Sequence, residues 1–260
     1  MPTPVKAAAL ALGLSVHEPL KLRPFAPDLR ALAPDIFAVA SYGRILPQAV
    51  LDVPASGIAF NVHPSLLPLY RGATPLQSAI RDGRAETGVT IIAMDAGMDT
   101  GDVLVQERTP LAPDETYGEL HDRLAARGAQ LLGDALDRYT AGTLARRSQT
   151  SFAVASDDIT ATLTRPLTKE DMLIDWSWSA ARIVNLVRSL APTPAARAQL
   201  EGEAIKVSSA RLALAGEVGT TGDDGFVVRA GDGASIVLLR VTPPNRSAMS
   251  GASYARALAV

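Results

Sequence analysis

The first 142 residues alternate between compact apolar runs and stretches with helical spacing, and this alternation leaves few possible architectures. Four apolar runs predict β-strands, at residues 35–41, 57–62, 88–94 and 103–107. Helical patterns occur at residues 4–14, 46–51 and 73–81 and in a long segment after Asp114, which can cap it. Strands that alternate with helices usually form a parallel sheet with helical crossovers. Residues 1–142 are therefore predicted to be an α/β unit with a parallel sheet.

A different pattern follows residue 142. Residues 143–164 are small and polar with little periodicity, which predicts a linker. After it come a helix that Ser177 can cap, with Ile183 and Val187 on its apolar face, and several short alternating runs. Glycines interrupt these runs, which lie at residues 204–207, 226–230 and 235–241. Residues 165–260 are therefore predicted to form a small β-rich domain.

Several kinds of chemistry are disfavoured by what the sequence lacks. The chain has no cysteine, which excludes a disulfide scaffold, a cysteine-ligated zinc site and a thiol nucleophile. Its three histidines lack metal-ligand spacing, so we expect no metal. Neither a GxGxxG motif nor a P-loop follows a predicted strand. No apolar run reaches the roughly 18–20 residues of a membrane span, so we expect no membrane contact. The lack of cysteine fits a reducing compartment, so we expect a cytoplasmic protein. We also expect the chain to be a monomer.

The net charge of −2 is unevenly distributed along the chain. Residues 1–144 contain 12 basic and 16 acidic side chains, whereas residues 145–260 contain 13 basic and 11 acidic ones. The C-terminal part is thus mildly basic and suits a polyanionic partner, although ordinary scatter of surface charge produces the same balance.

The segment NVHPSLLP, at residues 61–68, carries the most informative side chains. Asn61 and His63 are two residues apart at the end of a predicted strand, so they project from the same face. Asp95, Asp99 and Asp102 follow the next strand, and sites in open sheets collect at strand ends. These groups supply an amide for a developing oxyanion, an imidazole for proton transfer and a carboxylate that can orient the imidazole. The combination favours acyl or formyl transfer without a metal or a covalent intermediate.

The same residues also have a purely structural interpretation. A histidine beside a proline, as in His63-Pro64, often only shapes a turn. Aspartates near glycines favour loops, so Asp95, Asp99 and Asp102 can serve the turn alone. The two interpretations differ in whether these side chains meet in one cleft.

Longer pieces of the sequence narrow the choice. SYGRILPQAVLD, NVHPSLLPLYRGATPLQ and ETGVTIIAMDAGMDTGD all lie within residues 41–106, and LTKEDMLIDWSWSAARI and LEGEAIKV follow later. Together they resemble the folate-dependent formyltransferases, and most closely the methionyl-tRNA formyltransferases. The NxHxSLLP motif is shared by the wider group, whereas RGATPLQ, the DxGxDTGD loop and the C-terminal pieces are more specific. The resemblance implies a parallel, Rossmann-like sheet followed by a small OB-like β-barrel of the tRNA-binding type.

The resemblance also assigns residues to a site. Asn61, His63 and Asp99 correspond to the family's catalytic residues, and the separation of 38 residues between Asn61 and Asp99 matches the family. The formyl donor would be 10-formyltetrahydrofolate. Its expected contacts are Arg44, Ile45, Leu46, Ser65, Leu66, Leu67, Pro68, Asp95 and Gly97. An ordinary core role is the alternative for the isoleucine and the leucines.

By the same resemblance the formyl acceptor would be initiator methionyl-tRNA. The expected contacts to its phosphates are Arg71, Arg182, Arg188, Arg197, Lys206 and Arg211. One rival hypothesis is a formyltransferase with the same donor and catalytic residues that acts on a nucleotide-linked amino sugar. Another is a degenerate relative that only binds folate or tRNA.

The start of the chain departs from the family pattern. Family members begin with a further βαβ-sized segment of roughly 30–50 residues, which contains the first strand and a basic loop. Residues 1–14, MPTPVKAAALALGL, resemble the sequence just after that loop. We therefore expect a sheet without this strand, with an apolar groove and an unpaired strand edge exposed.

Overall fold

Two α/β units follow each other along the chain. The computed structural model describes residues 2–152, 159–214 and 225–258. The first unit contains α1 (Pro4–Ala11), α2 (Leu22–Ala31), β1 (Phe37–Ala40), α3 (Gln48–Leu51), β2 (Ala59–His63), α4 (Pro75–Arg81), β3 (Glu86–Ala93), β4 (Val103–Pro110) and α5 (Tyr117–Thr140). The second contains α6 (Ala180–Leu190), β5 (Ala196–Leu200), β6 (Glu203–Leu212), β7 (Phe226–Arg229), β8 (Ser235–Thr242), β9 (Met249–Ser250) and α7 (Gly251–Leu258). Short 3-10 turns lie at Gln149–Phe152, Thr160–Thr162 and Glu170–Met172.

The sheet of the first unit has the strand order β1-β2-β3-β4 and is mixed rather than parallel. Only β1 and β2 are parallel, whereas β2 with β3 and β3 with β4 are antiparallel. The expectation of a parallel sheet is therefore wrong for these two pairs. Residues 94–102, which join β3 to β4, contain no helix and are fewer than the dozen or so residues that a parallel crossover needs.

Helix α5 covers one face of this sheet through Leu120, Leu124 and Leu131, all of which are buried. Gly128 allows the close approach, because a Cβ there would lie 2.7 Å from Val62 Cγ1. Burial of each leucine contributes on the order of 2 kcal/mol to folding. The helix thus holds β2 and β3, which carry the candidate site, against the core.

The helix caps differ from those that the sequence predicts. Thr116, not Asp114, precedes α5, and its hydroxyl accepts the Glu119 N–H while the Glu119 carboxylate accepts the Thr116 N–H. This reciprocal pair satisfies two N–H groups that the helix itself leaves free. At α6 the cap is Ser179 rather than Ser177, and its hydroxyl accepts the Arg182 N–H.

Strand β1 is half-exposed, although the sequence predicts a buried strand. Within the described residues it pairs only with β2, and its side chains alternate between partly buried and exposed. An apolar groove of about 370 Å³ lies beside it, and the groove lining includes Leu22, Phe25, Leu29 and Val39. The expected groove and single-sided strand edge are therefore present.

The sheet of the second unit is antiparallel, with the order β5-β6-β8-β7 and β9 paired to β8. The predicted closed barrel is not found in residues 165–214 and 225–258, because β5 and β7 are not paired with each other. Helix α6 instead packs its apolar side chains into the sheet's core, through Ile183, Leu186, Val187 and Leu190. A sheet whose apolar face is covered by helices can bury that face without closing on itself.

Arg188 joins the two units from the inside. Its side chain is only 7% exposed, and its guanidinium donates to the carbonyls of Ile80, Ala112 and Glu115 in the first unit. The expectation that Arg188 contacts tRNA is therefore corrected. A guanidinium that is buried and bonded to these carbonyls is not presented to a phosphate.

Replacing Arg188 with methionine should lower the free energy of unfolding by about 2–3 kcal/mol, because the bonds of a buried guanidinium to three carbonyls of the first unit are lost. Arg182→Met, on the exposed side of the same helix, should change it by less than about 1 kcal/mol. Urea unfolding followed by circular dichroism measures both. Equal effects of the two substitutions would contradict the inter-unit role of Arg188.

Candidate active site

A cleft of about 460 Å³ opens over β1, β2 and the loop of residues 94–102. Its lining includes Asn61, His63 and Asp99, three residues that the sequence singles out. Antiparallel β3 ends beside the start of β2, where the Met94 N–H donates to the Ala59 carbonyl. The following loop must therefore run back along β2 to bring Asp99 to the level of Asn61. The site consequently combines one strand and one returning loop, not two adjacent carboxyl ends of parallel strands.

The Asp99 carboxylate lies at the centre of this group. Its Oδ1 is 3.5 Å from Asn61 Nδ2, and its Oδ2 is 3.6 Å from His63 Nδ1. The backbone N–H of Gly72 lies closer and donates to Oδ2 at 2.9 Å. The predicted trio therefore converges, and the Gly72 peptide positions the carboxylate. A contact of 3.6 Å is too long for a hydrogen bond, so Asp99 does not directly hold the neutral ring.

The backbone carbonyl of Tyr70 orients the imidazole instead. His63 Nε2 lies 3.0 Å from the Tyr70 oxygen. A carbonyl can only accept, so Nε2 carries a hydrogen in this contact. In the neutral ring Nδ1 then keeps its lone pair, directed to the side where Asp99 lies. The sequence indicates that Asp99 orients the imidazole. In the structure the Tyr70 carbonyl orients it, and a backbone group of this kind cannot be predicted from a side-chain motif.

Burial sets the protonation state of this histidine. The residue is 4% exposed, and desolvation lowers the pKa of its side chain below the ordinary value. The negative charge of Asp99 and the bond to Tyr70 oppose this shift, while the positive charge of Arg71 adds to it. The direction remains downward, so His63 is neutral at neutral pH and has a free lone pair at Nδ1. A neutral imidazole in a cleft can accept a proton during a reaction.

The loop that carries Asp99 has a constrained backbone. Asp99 has φ of +56°, a conformation that residues other than glycine seldom adopt. The Asp95 carboxylate accepts the Gly97 N–H at 3.0 Å and the Thr100 hydroxyl at 2.7 Å. A Cβ at Gly97 would lie 2.0 Å from the Thr100 oxygen, so this turn requires glycine. The Asp95 carboxylate thus stabilises the conformation of this loop through two hydrogen bonds.

The segment between the two units reaches this site. The Thr164 N–H and hydroxyl both donate to the Arg71 carbonyl, at 2.8 and 3.0 Å. A Cβ at Gly72 would lie 2.1 Å from the Thr164 carbonyl oxygen. Residues 143–164, which the sequence predicts to be a linker, therefore include Thr164, which packs against Arg71 and Gly72 beside the cleft.

Comparison with known proteins identifies the family. The formyl transferase model matches residues 17–136, and the model of the formyl transferase C-terminal domain matches residues 166–259. The methionyl-tRNA formyltransferase of Moorella thermoacetica is 42% identical over 98% of this chain and 81% of its own length. This chain belongs to the methionyl-tRNA formyltransferase family. The enzyme of that name from Geotalea uraniireducens is 46% identical over 89% of this chain and 70% of its own length.

A solved structure supports the fold of this family member. The N-formyltransferase from Helicobacter canadensis, in complex with folinic acid and dTDP-3-aminofucose, has a TM-score of 0.68 to this chain. The similarity covers 90% of this chain and 81% of that one, at 19% sequence identity. It shows that this chain has a fold similar to that of the Helicobacter canadensis protein.

The folate contacts expected for a methionyl-tRNA formyltransferase divide into two groups. Arg44, Ile45, Leu46, Asp95 and Gly97 line the cleft. Ile45 is 79% exposed, so it is not the core residue that its apolar character alone predicts.

The second group lies away from the cleft lining. Ser65, Leu67 and Pro68 are buried, and Leu66 is partly buried. The Ser65 hydroxyl donates to the Leu69 carbonyl, and the peptide groups of Leu67 bond to the side chains of Thr90 and Gln106. Ser65 and Leu67 therefore stabilise the turn after β2, and none of the four residues lines the cleft, so their contact with folate stays a prediction.

The remaining basic residues are placed differently from one another. Arg197 and Lys206 are exposed and directly opposite each other on β5 and β6. Arg182 is exposed and stacks 3.7 Å above the Trp178 ring. Arg211 is half-buried on β6 and donates to the neighbouring Leu212 carbonyl. Arg71 is half-buried and directed to Gln149.

Two further properties concern only the described residues. Within them, no group of three or more histidine, aspartate or glutamate side chains is placed to hold a metal ion. Nor does any described helix combine the length and apolar character that a membrane crossing requires.

The protonation of His63 can be followed directly. Nuclear magnetic resonance should give a titration midpoint below the ordinary histidine value of about 6.5. Asp99→Asn should lower the midpoint further, because it removes the negative charge that favours the imidazolium. Asp102→Asn, on the same loop, should have a smaller effect. A midpoint above the ordinary value would contradict the neutral ring.

Proposed function

We propose that this chain transfers the formyl group of 10-formyltetrahydrofolate to the amino group of initiator methionyl-tRNA, acting as a cytoplasmic monomer. The observation that carries the proposal is the convergence of Asn61, neutral His63 and Asp99 in one open cleft. Membership of the methionyl-tRNA formyltransferase family supports the choice of acceptor.

The cleft has properties that suit the flat pterin of a folate. Ile45 and Met98 are exposed within it and supply apolar walls. Asp95 and Gly97 lie beside them, in a loop whose backbone N–H and carbonyl groups can form hydrogen bonds with the polar edge of the ring. Sites for small ligands usually combine such apolar walls with a few fixed polar groups.

The proposed reaction needs one base and one donor to the developing oxyanion. As the methionyl amine attacks the formyl carbon, Asn61 donates an N–H to the oxygen that becomes negative. His63 Nδ1 accepts the proton that the amine loses, and the Asp99 carboxylate stabilises the resulting imidazolium. The same proton then passes to the folate nitrogen as its bond to the formyl carbon breaks. Atoms and charges balance without a metal or a covalent enzyme intermediate.

Removal of the imidazole tests this mechanism. His63→Ala should lower kcat for formyl transfer by about 10²–10⁴, the usual contribution of a positioned acid–base group. His121→Ala, on the exposed surface of α5, is the matched control and should keep normal activity. Initial rates with methionyl-tRNA and 10-formyltetrahydrofolate measure both. A folded His63→Ala variant with nearly full activity would contradict the role of His63.

The acceptor is tested through charge on the second unit. Changing Arg182, Arg197 and Lys206 to glutamate should weaken tRNA binding and make it less dependent on salt, because each lost phosphate contact lowers the salt slope by about 1. Folate binding should be unchanged. Filter binding across a salt series, together with folate titration, provides the measurements.

A control of equal charge completes this test. Arg23, Arg30 and Arg138 are exposed on the first unit, and changing them to glutamate alters the net charge by the same amount. This variant should bind tRNA more tightly than the first one. If both variants and the native chain show the same shallow salt dependence, the data favour a small acceptor such as a nucleotide-linked amino sugar.

A further inference from the structure

Gln149 lies in the segment between the two units. It contacts the loop of residues 94–102 that carries Asp99, called the catalytic loop below. Its side chain is 4% exposed and belongs to the 3-10 turn Gln149–Phe152. A two-way backbone pairing between Arg147 and Val103 attaches this segment to the start of β4. Gln149 is not among the cleft-lining residues, so any influence on the reaction passes through its neighbours.

Every polar atom of this amide has a partner. Nε2 donates to the Asp99 carbonyl at 2.7 Å and to the Gly101 carbonyl at 2.8 Å. Oε1 accepts from Arg71 Nε at 3.0 Å and from Nη2 at 2.6 Å. A buried amide with both N–H groups and its oxygen satisfied has a single orientation. Gln149 therefore connects the peptide of Asp99 to the loop that contains Arg71 and Gly72.

Arg71 determines which end of the amide faces the loop. A guanidinium has only donors, so it cannot form a hydrogen bond with the amide if Nε2 points towards it. With Oε1 held by Arg71, the NH₂ group is directed to the two carbonyls of the catalytic loop. An amide turned the other way would place its oxygen against those carbonyls and its N–H groups against the guanidinium.

The contact falls where the catalytic loop needs support. Asp99 has φ of +56°, which such a residue keeps only when its surroundings hold it there. Nearby, Gly101 packs so tightly that a Cβ would lie 1.8 Å from the Ala93 carbonyl oxygen. The two bonds from Gln149 hold the Asp99–Thr100 and Gly101–Asp102 peptides, and with them the direction of the Asp99 carboxylate.

We propose that Gln149 is a positioning residue for formyl transfer, which holds Asp99 in place from outside the cleft and is itself oriented by Arg71. The inference rests on the function proposed above. It extends the active site into the segment between the two units. Its consequence is that kcat depends on a residue that contacts no substrate.

Two substitutions of Gln149 test the proposal. Gln149→Met keeps the volume but removes both donors, and Gln149→Glu keeps the pairing with Arg71 but turns an oxygen to the loop carbonyls. Each should lower kcat by about 10- to 100-fold, the usual effect of losing such a supporting contact. The KM for folate should change by less than about threefold, because every cleft-lining side chain is retained and Gln149 is not one of them. Wild-type kcat in a folded variant of either kind would overturn the proposal.

A second glutamine provides the matched control. Gln106 is half-buried in the same unit and also donates to a backbone carbonyl, that of Leu67, and to the Thr90 hydroxyl. Gln106→Met should therefore cost stability, as Gln149→Met does, with kcat within about threefold of wild type. Thermal unfolding of both variants separates loss of stability from loss of rate.

A double substitution shows whether Gln149 acts through Asp99. If it does, Gln149→Met should lower kcat much less in an Asp99→Asn background than in the native chain. Two effects that simply multiply would mean that Gln149 influences the rate independently of Asp99. That outcome would overturn the proposed positioning role.

A readout without turnover separates this inference from the proposed function. The Gly72 N–H is bonded to Asp99 Oδ2, so its hydrogen exchange reports whether the carboxylate is in place. Gln149→Met and Gln149→Glu should speed this exchange by about tenfold, and Gln106→Met should not. A native chain that fails to formylate methionyl-tRNA would refute the proposed function alone. Unchanged Gly72 exchange in both Gln149 variants would refute the positioning role alone.

Discussion

The backbone of residues 70–72 determines the chemistry of the cleft. The Tyr70 carbonyl holds His63 by Nε2, and the Gly72 N–H holds the Asp99 carboxylate. These two bonds leave Nδ1 free and place a negative charge 3.6 Å from it. Since burial keeps the ring neutral, the ring can accept a proton and the carboxylate can stabilise the product. Displacing this short stretch would disturb the positions of His63 and Asp99 together.

Support for this stretch comes from a distant part of the chain. Thr164 donates twice to the Arg71 carbonyl, and Gln149 accepts twice from the Arg71 guanidinium while donating to the Asp99 and Gly101 carbonyls. The segment after α5 therefore connects the two units and also stabilises the loops beside the cleft. Its hydrogen bonds join the two loops that position His63 and Asp99, and buried polar networks of this kind favour one arrangement over others.

Hydrogen bonds between Arg188 of the second unit and backbone carbonyls of the first unit connect the two units. Arg188 donates to three carbonyls of the first unit, whereas Arg182, Arg197 and Lys206 of the second unit are exposed. Arg197 and Lys206 lie opposite each other across β5 and β6, so their charges form one continuous patch. Burial thus divides similar side chains between a structural and a surface role.

Local patterns in the sequence determined a good part of this protein. The two-residue spacing predicted that Asn61 and His63 share a face, and the helical pattern of the long segment after Asp114 predicted α5, because both depend only on neighbouring residues. Tertiary structure decided the rest: the antiparallel β3 and β4, the burial of Arg188 and the contacts of Gln149. These depend on backbone carbonyls and N–H groups, which every residue carries and no motif distinguishes. Which of them meet is decided by how distant segments pack.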